Sequence, residues 1–103
     1  MNSRGEPKAE VESLRRELMA EFEAEQGEDW QSLNAPGTYG WHELLDRTYL
    51  VSNMVESYVL THPACVQNPQ WFALAQRASD ALQDLYQRIS AEHLDADSPS
   101  APA

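Results

Sequence analysis

An apolar stripe that begins directly after Asn68–Pro69 is the strongest constraint on how this chain folds. Asn68 is a favourable N-cap and proline is favoured at the first helical position, so the sequence predicts a helix over residues 69–93. Apolar residues recur there every three or four positions, which is the helical period. They are Trp71, Phe72, Ala75, Ala78, Leu82, Leu85, Tyr86 and Ile89. A stripe of this length needs another helix to pack against.

A second amphipathic segment precedes this stripe at residues 41–61. Gly40 is an acceptable N-cap, Glu43 is placed to complement the N–H groups of the first turn, and Pro63 ends the segment. Its apolar residues are Trp41, Leu44, Leu45, Thr48, Val51, Val55, Tyr58 and Val59. Because the connection to the next helix is about seven residues long, the two helices should pack as an antiparallel hairpin.

The expected hairpin leaves part of its apolar surface uncovered. Its pairing places Tyr58 near Trp71 and Leu45 near Tyr86. A hairpin of about 55 residues buries one seam, and so small a core is marginal. The apolar sector of the first hairpin helix is wide and is extended by Met54. We therefore expect an all-α small helical bundle, completed by a homodimer or by a partner.

The chain before the hairpin predicts one more helix. Val11, Leu14, Leu18 and Phe22 form a narrow apolar stripe among charged residues, and Gly27 is a stop signal. The predicted organisation is, in chain order, a disordered start (1–6), a charged amphipathic helix (7–26), a loop or linker (27–40), the hairpin core (41–93) and a disordered tail (94–103).

The formal net charge of −10 restricts the partners of this chain. A negative field repels nucleic acid and anionic membranes, so we expect direct binding to neither. It favours a basic protein surface, including one that normally binds DNA or RNA, although acidity also simply keeps proteins in solution. The acids best placed for such a contact are Glu21, Glu23, Glu25, Glu28 and Asp29.

We expect a cytoplasmic protein, because the sequence has no recognisable targeting signal and only one cysteine. No run approaches the roughly 20 apolar residues of a membrane span, and the first 25 residues lack the apolar segment of a secretory signal. Cys65 is the single cysteine and cannot form an internal disulfide, which favours a reducing compartment. Glycine loops that bind phosphate are absent, and we expect no cofactor.

Four polar residues in "GTYGWHELLDR" raise the question of a catalytic metal site. His42, Glu43 and Asp46 stand in "HELLD", where Asp46 replaces the second histidine of a zinc-binding H-E-x-x-H. His93 is a candidate third ligand because the hairpin brings its helix end to this point. However, His42 and Asp46 lie on the polar face while His93 continues an apolar stripe, so these groups should point in different directions. An i,i+4 ion pair of Glu43 with Arg47 is the expected structural role.

A mixed surface on the first hairpin helix suits protein contact instead. Tyr49 and Leu60 lie towards its polar side, together with His42, Asn53 and Ser57. Exposed aromatic and amide groups of this kind are common where proteins meet. We expect a contact patch that includes His42, Tyr49 and Asn53.

Residues 39–93 resemble small proteins encoded by phages and prophages of proteobacteria. The similarity lies in "YGWHELLDR", which fits YG-x-HE-x-LDR, and in the segment from "NPQW" to "LYQRI", which fits NP-x-W…LYQ-x-I. It covers a little over half of the chain and carries over no catalytic residue. The resemblance implies a phage accessory protein in the host cytoplasm, with an anti-CRISPR-like or other host-inhibitor role by association.

These observations favour a non-enzymatic acidic helical interaction protein. Its expected role is that of a phage-encoded inhibitor that mimics nucleic acid and occupies a basic surface of a host nucleoprotein. A small metal-dependent enzyme built on His42, Glu43 and Asp46 is one alternative. A structural or regulatory helical oligomer is the other.

Overall fold

The regular structure of residues 8–97 is helical, as the sequence predicts. A computed structural model describes residues 8–97, with side chains for residues 8–94, and this part contains no strand. Its helices are α1 (Ala9–Gln26), α2 (Trp30–Leu33), α3 (Tyr39–Met54), a π-helical segment (Val55–Leu60), α4 (Pro63–Val66) and α5 (Pro69–Asp97).

The predicted boundaries differ from the observed ones mainly at the ends. The start predicted to be disordered (1–6) and the last six residues of the predicted tail (98–103) lie outside the described residues. Residues 94–97 continue α5, because helical hydrogen bonding extends past the last apolar residue of the stripe. The predicted loop 27–40 contains the single-turn helix α2. None of the described helices combines the length and apolarity that a bilayer span requires.

The described residues fall into two units, of which the first ends at Leu33. This unit contains α1, which ends as predicted at Gly27, where a φ of 88° suits glycine. The rings of Phe22 and Trp30 lie 5.5 Å apart and connect α1 to α2. The whole α1 stripe nevertheless stays exposed, Phe22 included: Val11, Leu14, Leu18 and Phe22.

The second unit is the antiparallel hairpin of α3 and α5. Trp41 Nε1 donates a hydrogen bond to the Ile89 carbonyl at 3.1 Å, and the rings of Tyr49 and Tyr86 lie 5.6 Å apart. Tyr86 thus meets Tyr49, one turn further along α3 than the predicted Leu45. Asn68 caps α5 as predicted, since its Oδ1 accepts hydrogen bonds from the second and third N–H groups after it.

Small polar side chains close the seam between α3 and α5. Thr48, Ser52 and Ser79 are only 6%, 7% and 1% exposed. The large apolar side chains buried to this degree within residues 8–94 are Leu60, at 8%, and Ile89, at 4%. Thr48 Oγ1 donates to the carbonyl four residues earlier at 2.8 Å, so its hydroxyl is satisfied within its own helix. Because these buried side chains are small on both helices, they allow the two backbones to approach each other closely.

The π-helical segment corrects the predicted position of Leu60. A rotation of 100° per residue places Leu60 on the polar side of the helix, whereas its side chain is buried. The prediction is wrong because a π turn contains more residues than an α turn, so each residue rotates less. Over Val55–Leu60 the deficit accumulates, which brings Leu60 to the seam and leaves Val59 exposed.

Candidate functional site

The turn that precedes α3 is organised by Thr38 and Asn34. Thr38 is the N-cap, with Oγ1 accepting a hydrogen bond from the Trp41 N–H at 3.4 Å. Gly40 is therefore not the cap, and Glu43 lies beyond the first turn. A Cβ at residue 40 would stand 2.0 Å from Asn34 Oδ1 and 3.2 Å from its Cα. Glycine is needed at position 40 because Asn34 occupies the space of a side chain.

Two i,i+4 pairs engage the four polar groups of this helix. The predicted ion pair is present, with Arg47 Nη2 3.1 Å from Glu43 Oε2. His42 Nε2 lies 3.4 Å from Asp46 Oδ2. Three of these side chains are more than half exposed and that of Glu43 is 41% exposed, so each pair contributes about 0.5 kcal/mol or less to stability. Asp46 thus contacts His42 and is too far from the helix start to act on the dipole.

His93 lies beside His42, contrary to the prediction that they point in different directions. Their ring centroids are 5.6 Å apart, and His93 Nδ1 accepts the Gly37 N–H at 3.2 Å. The prediction failed because the seam runs along one edge of each apolar sector, which turns His93 towards this side of α3. Nevertheless, no three His, Cys, Asp or Glu side chains of the described residues are arranged to hold a metal ion.

The predicted contact residues His42, Tyr49 and Asn53 lie on one flank of the hairpin, which we call the polar flank. Next to Tyr49, a shallow cavity of about 200 Å³ separates α3 from α5. Gln83 Nε2 donates to Glu56 Oε1 across it at 2.7 Å. The other residues that line this cavity are Ser52, Asn53, Tyr86 and Gln87. The polar flank therefore presents amides, hydroxyls and half-exposed aromatic rings.

The opposite flank of the hairpin is a continuous exposed apolar surface. Tyr58 and Trp71 are its most exposed large members, at 68% and 59%. We call this surface the apolar face: Leu44, Val51, Met54 and Tyr58 on the first arm, and Trp71, Leu74, Ala78, Ala81 and Leu85 on α5. On α5 these residues recur at spacings of three and four, and on the first arm the same spacing holds from Val51 to Tyr58. Arg47 stands between Leu44 and Val51, so the face consists of two rows, of which the first-arm row includes one charged residue.

A groove lies at one end of the apolar face, beside the connection between the two arms. It has a volume of about 520 Å³ and is lined by Tyr58, Val59, His62, Ala64, Cys65, Trp71, Leu74 and Ala75. The connection itself is ordered by α4, whose cap is His62: its Nδ1 accepts the Ala64 N–H at 3.1 Å. Cys65 is half-buried in this groove. The groove therefore has an almost wholly apolar wall at one end of the apolar face.

The two arginines of α1 both pair with the carboxylate of Glu12. Arg15 Nε donates to Glu12 at 2.8 Å and Arg16 Nε at 3.1 Å. These hydrogen bonds lower the pKa of Glu12 to about 2, with the Arg15 bond as the largest cause. No basic residue follows until the hairpin, so the predicted acidic contact residues remain as an exposed run, the acid segment: Glu21, Glu23, Glu25, Glu28 and Asp29.

The sequence reasoning missed the apolar face as a separate surface. It assigned Leu44, Val51 and Leu85 to the same stripes as the seam, although the structure leaves them exposed. The available signal was a second register with the same period. Thr48, Ser52 and Val55 on the first arm, and Ala75, Ser79 and Leu82 on α5, also recur at spacings of three and four.

Comparisons with protein-family models, with curated protein sequences and with solved structures find no match to this chain. The proposals below therefore depend on the chain's own geometry and charge.

Proposed function

We propose that this protein is a non-enzymatic helical interaction protein whose apolar face docks against a helical protein surface. One observation carries the proposal: the most buried side chains of the hairpin are three small polar ones together with Leu60 and Ile89, while the large side chains of the apolar face stay exposed. Single exposed apolar residues are normal, but contiguous apolar patches indicate interaction sites. The two parallel rows of this face match the ridges and grooves that helices present to one another.

A photoreactive side chain at position 85 tests this proposal in the full-length protein. We expect benzoylphenylalanine in place of Leu85 to form a discrete adduct with a protein on irradiation in cell extract. The reason is that Leu85 is the last residue of the α5 row, at the end away from the groove, and is covered when the apolar face docks. Gel electrophoresis followed by mass spectrometry of the adduct provides the measurement.

The same group at Gln87 is the matched control, because Gln87 is on α5 but lines the polar flank. No adduct there is expected. Equal labelling at positions 85 and 87, or no protein adduct at position 85, contradicts the proposal.

A second candidate function concerns α1, and it deepens the predicted inhibitor role. We propose that the acid segment contacts a basic protein surface, such as the nucleic-acid-binding surface of a host nucleoprotein. Two features support it: the arginines of α1 are both engaged by Glu12, and the apolar stripe of α1 is exposed beside its acids. An amphipathic helix of this type suits an apolar groove with a basic rim.

Neutralising the acid segment should weaken binding to a lysine-rich helical peptide. For E21Q/E23Q/E25Q/E28Q/D29N we expect at least about a tenfold loss of affinity at low salt, because the attraction is electrostatic. The matched control neutralises five hairpin acids, D46N/E56Q/D80N/D84N/E92Q, and should retain most of the affinity. Fluorescence anisotropy at several salt concentrations measures both. Equal losses in the two variants, or salt-independent binding, would show that the acid segment is not the contact.

A further inference from the structure

We infer that the occupant of the apolar face is a second copy of this chain, joined as an antiparallel two-fold dimer. This inference rests on the proposed function, because it names the partner of the same face. The dimer would be a bundle of four long helices, two from each chain, with the two apolar faces buried against each other.

The spacing of the apolar face is the first reason for a self-complementary partner. On α5, Trp71, Ala78 and Leu85 follow one another at intervals of seven residues, about 10.5 Å along an α-helix. On the first arm, Leu44 and Val51 repeat this interval, and Tyr58 follows seven residues later within the π-helical segment. The α5 triplet is symmetric in spacing about Ala78. A two-fold axis that passes beside Ala78 therefore brings the α5 rows of two copies into antiparallel register.

The sizes of the side chains along the face are the second reason. Its centre on α5 consists of Ala78 and Ala81, which permit close approach of a second helix. One end carries the bulky Tyr58 and Trp71 beside the 520 Å³ groove, and the other end carries leucines. An antiparallel copy places its leucine end against this groove. Small meets small at the axis, and aliphatic side chains meet an apolar cavity at both ends.

The area and charge of the face fit the same partner. The exposed parts of Tyr58 and Trp71 alone amount to on the order of 250 Å², about a third of the roughly 800 Å² that each partner buries in a standard interface. Two ion pairs lie beside the face, each within one helix: Glu43 with Arg47 and Asp84 with Arg88. These four residues therefore add no net charge beside the face, although the chain as a whole is acidic.

Sedimentation equilibrium of the full-length protein over a range of concentrations tests the inference. We expect the mass to rise from 11.6 kDa to twice that value. Ala78→Glu places a carboxylate near the axis in both chains and should raise the dissociation constant by about a hundredfold or more. Gln87→Glu adds the same charge on the polar flank and should leave the dimer intact. A wild-type chain that stays monomeric, or Ala78→Glu and Gln87→Glu behaving alike, overturns the inference.

Chemical cross-linking provides a second readout that does not depend on a destabilising substitution. In a Cys65→Ser background, Val51→Cys lies near the axis and should join two chains through a short bis-maleimide. Gln87→Cys in the same background should not. Dimer-sized product from Gln87→Cys alone would overturn the inference. The outcomes also separate the two proposals: a position-85 photoadduct with a different protein, from a chain that is monomeric, retains the docking function and excludes the second copy.

Discussion

Ile89→Ala is expected to lower the free energy of unfolding by about 2–5 kcal/mol, the largest effect of any single substitution considered for this chain. Ile89 is almost completely buried and is one of two large apolar side chains so enclosed within residues 8–94. Its carbonyl also accepts the Trp41 indole N–H, so the substitution opens a cavity where the two arms are joined. Urea denaturation followed by circular dichroism measures the loss. Because small domains are stable by only about 5–15 kcal/mol, part of the population could unfold at 37 °C.

A smaller truncation at Ile89 and a truncation of an exposed leucine distinguish this cavity effect from a general loss of helix. Ile89→Val removes one methylene group and should cost about 0.5–1.5 kcal/mol. Leu94→Ala truncates an exposed side chain further along α5 and should cost less than about 1 kcal/mol. All variants must be compared at one protein concentration, because dimerisation adds to apparent stability. If Ile89→Ala and Leu94→Ala cost the same, Ile89 is not part of the hairpin core.

Ser79→Leu is expected to destabilise the hairpin by about 1–3 kcal/mol through overpacking. Ser79 is the most enclosed side chain of the described residues, and the seam around it consists of small groups. A leucine at position 79 must push α3 and α5 apart or adopt a strained rotamer. A surface serine would tolerate the same change, and leucine would even favour the helix. The free energy of unfolding from urea denaturation is again the measurement.

Two companion variants isolate the effect of volume at position 79. Ser79→Ala keeps the side chain small and should remain within about 1 kcal/mol of the wild type, because its hydroxyl accepts only a long bond of 3.4 Å from Gln83. Ser57→Leu adds the same bulk at an exposed position and should have little effect. A Ser79→Leu protein as stable as Ser57→Leu would mean that the arms are not closely packed at Ser79.

Local signals predicted the helices well. Asn68 with Pro69 marked the start of α5, Gly27 marked the end of α1, and the Glu43–Arg47 pair formed as expected. Each of these depends on residues within one or two turns of the chain, so no knowledge of the partner helix is required. The error at the start of α3 is equally local: the N-cap is Thr38, two residues before the predicted Gly40.

Non-local contacts account for the predictions that failed. His42 and His93 meet although a helical wheel separates them, and Leu60 is buried although the wheel exposes it. A wheel assumes 100° per residue and an interface centred on the apolar sector. The π-helical segment breaks the first assumption, and the small residues of the seam break the second. Neither departure can be read from one helix alone.

Short-range signals in the sequence predict an all-α chain, the hairpin order of its two long helices and an apolar sector too wide for one seam. These properties follow from periodicity, capping and loop length, which act over short distances along the chain. Which edge of each sector is buried depends on packing between the helices. Ser52 and Ser79 are small enough for the two backbones to approach, so the seam forms at their edge and encloses Ile89, while the large side chains of the apolar face remain exposed.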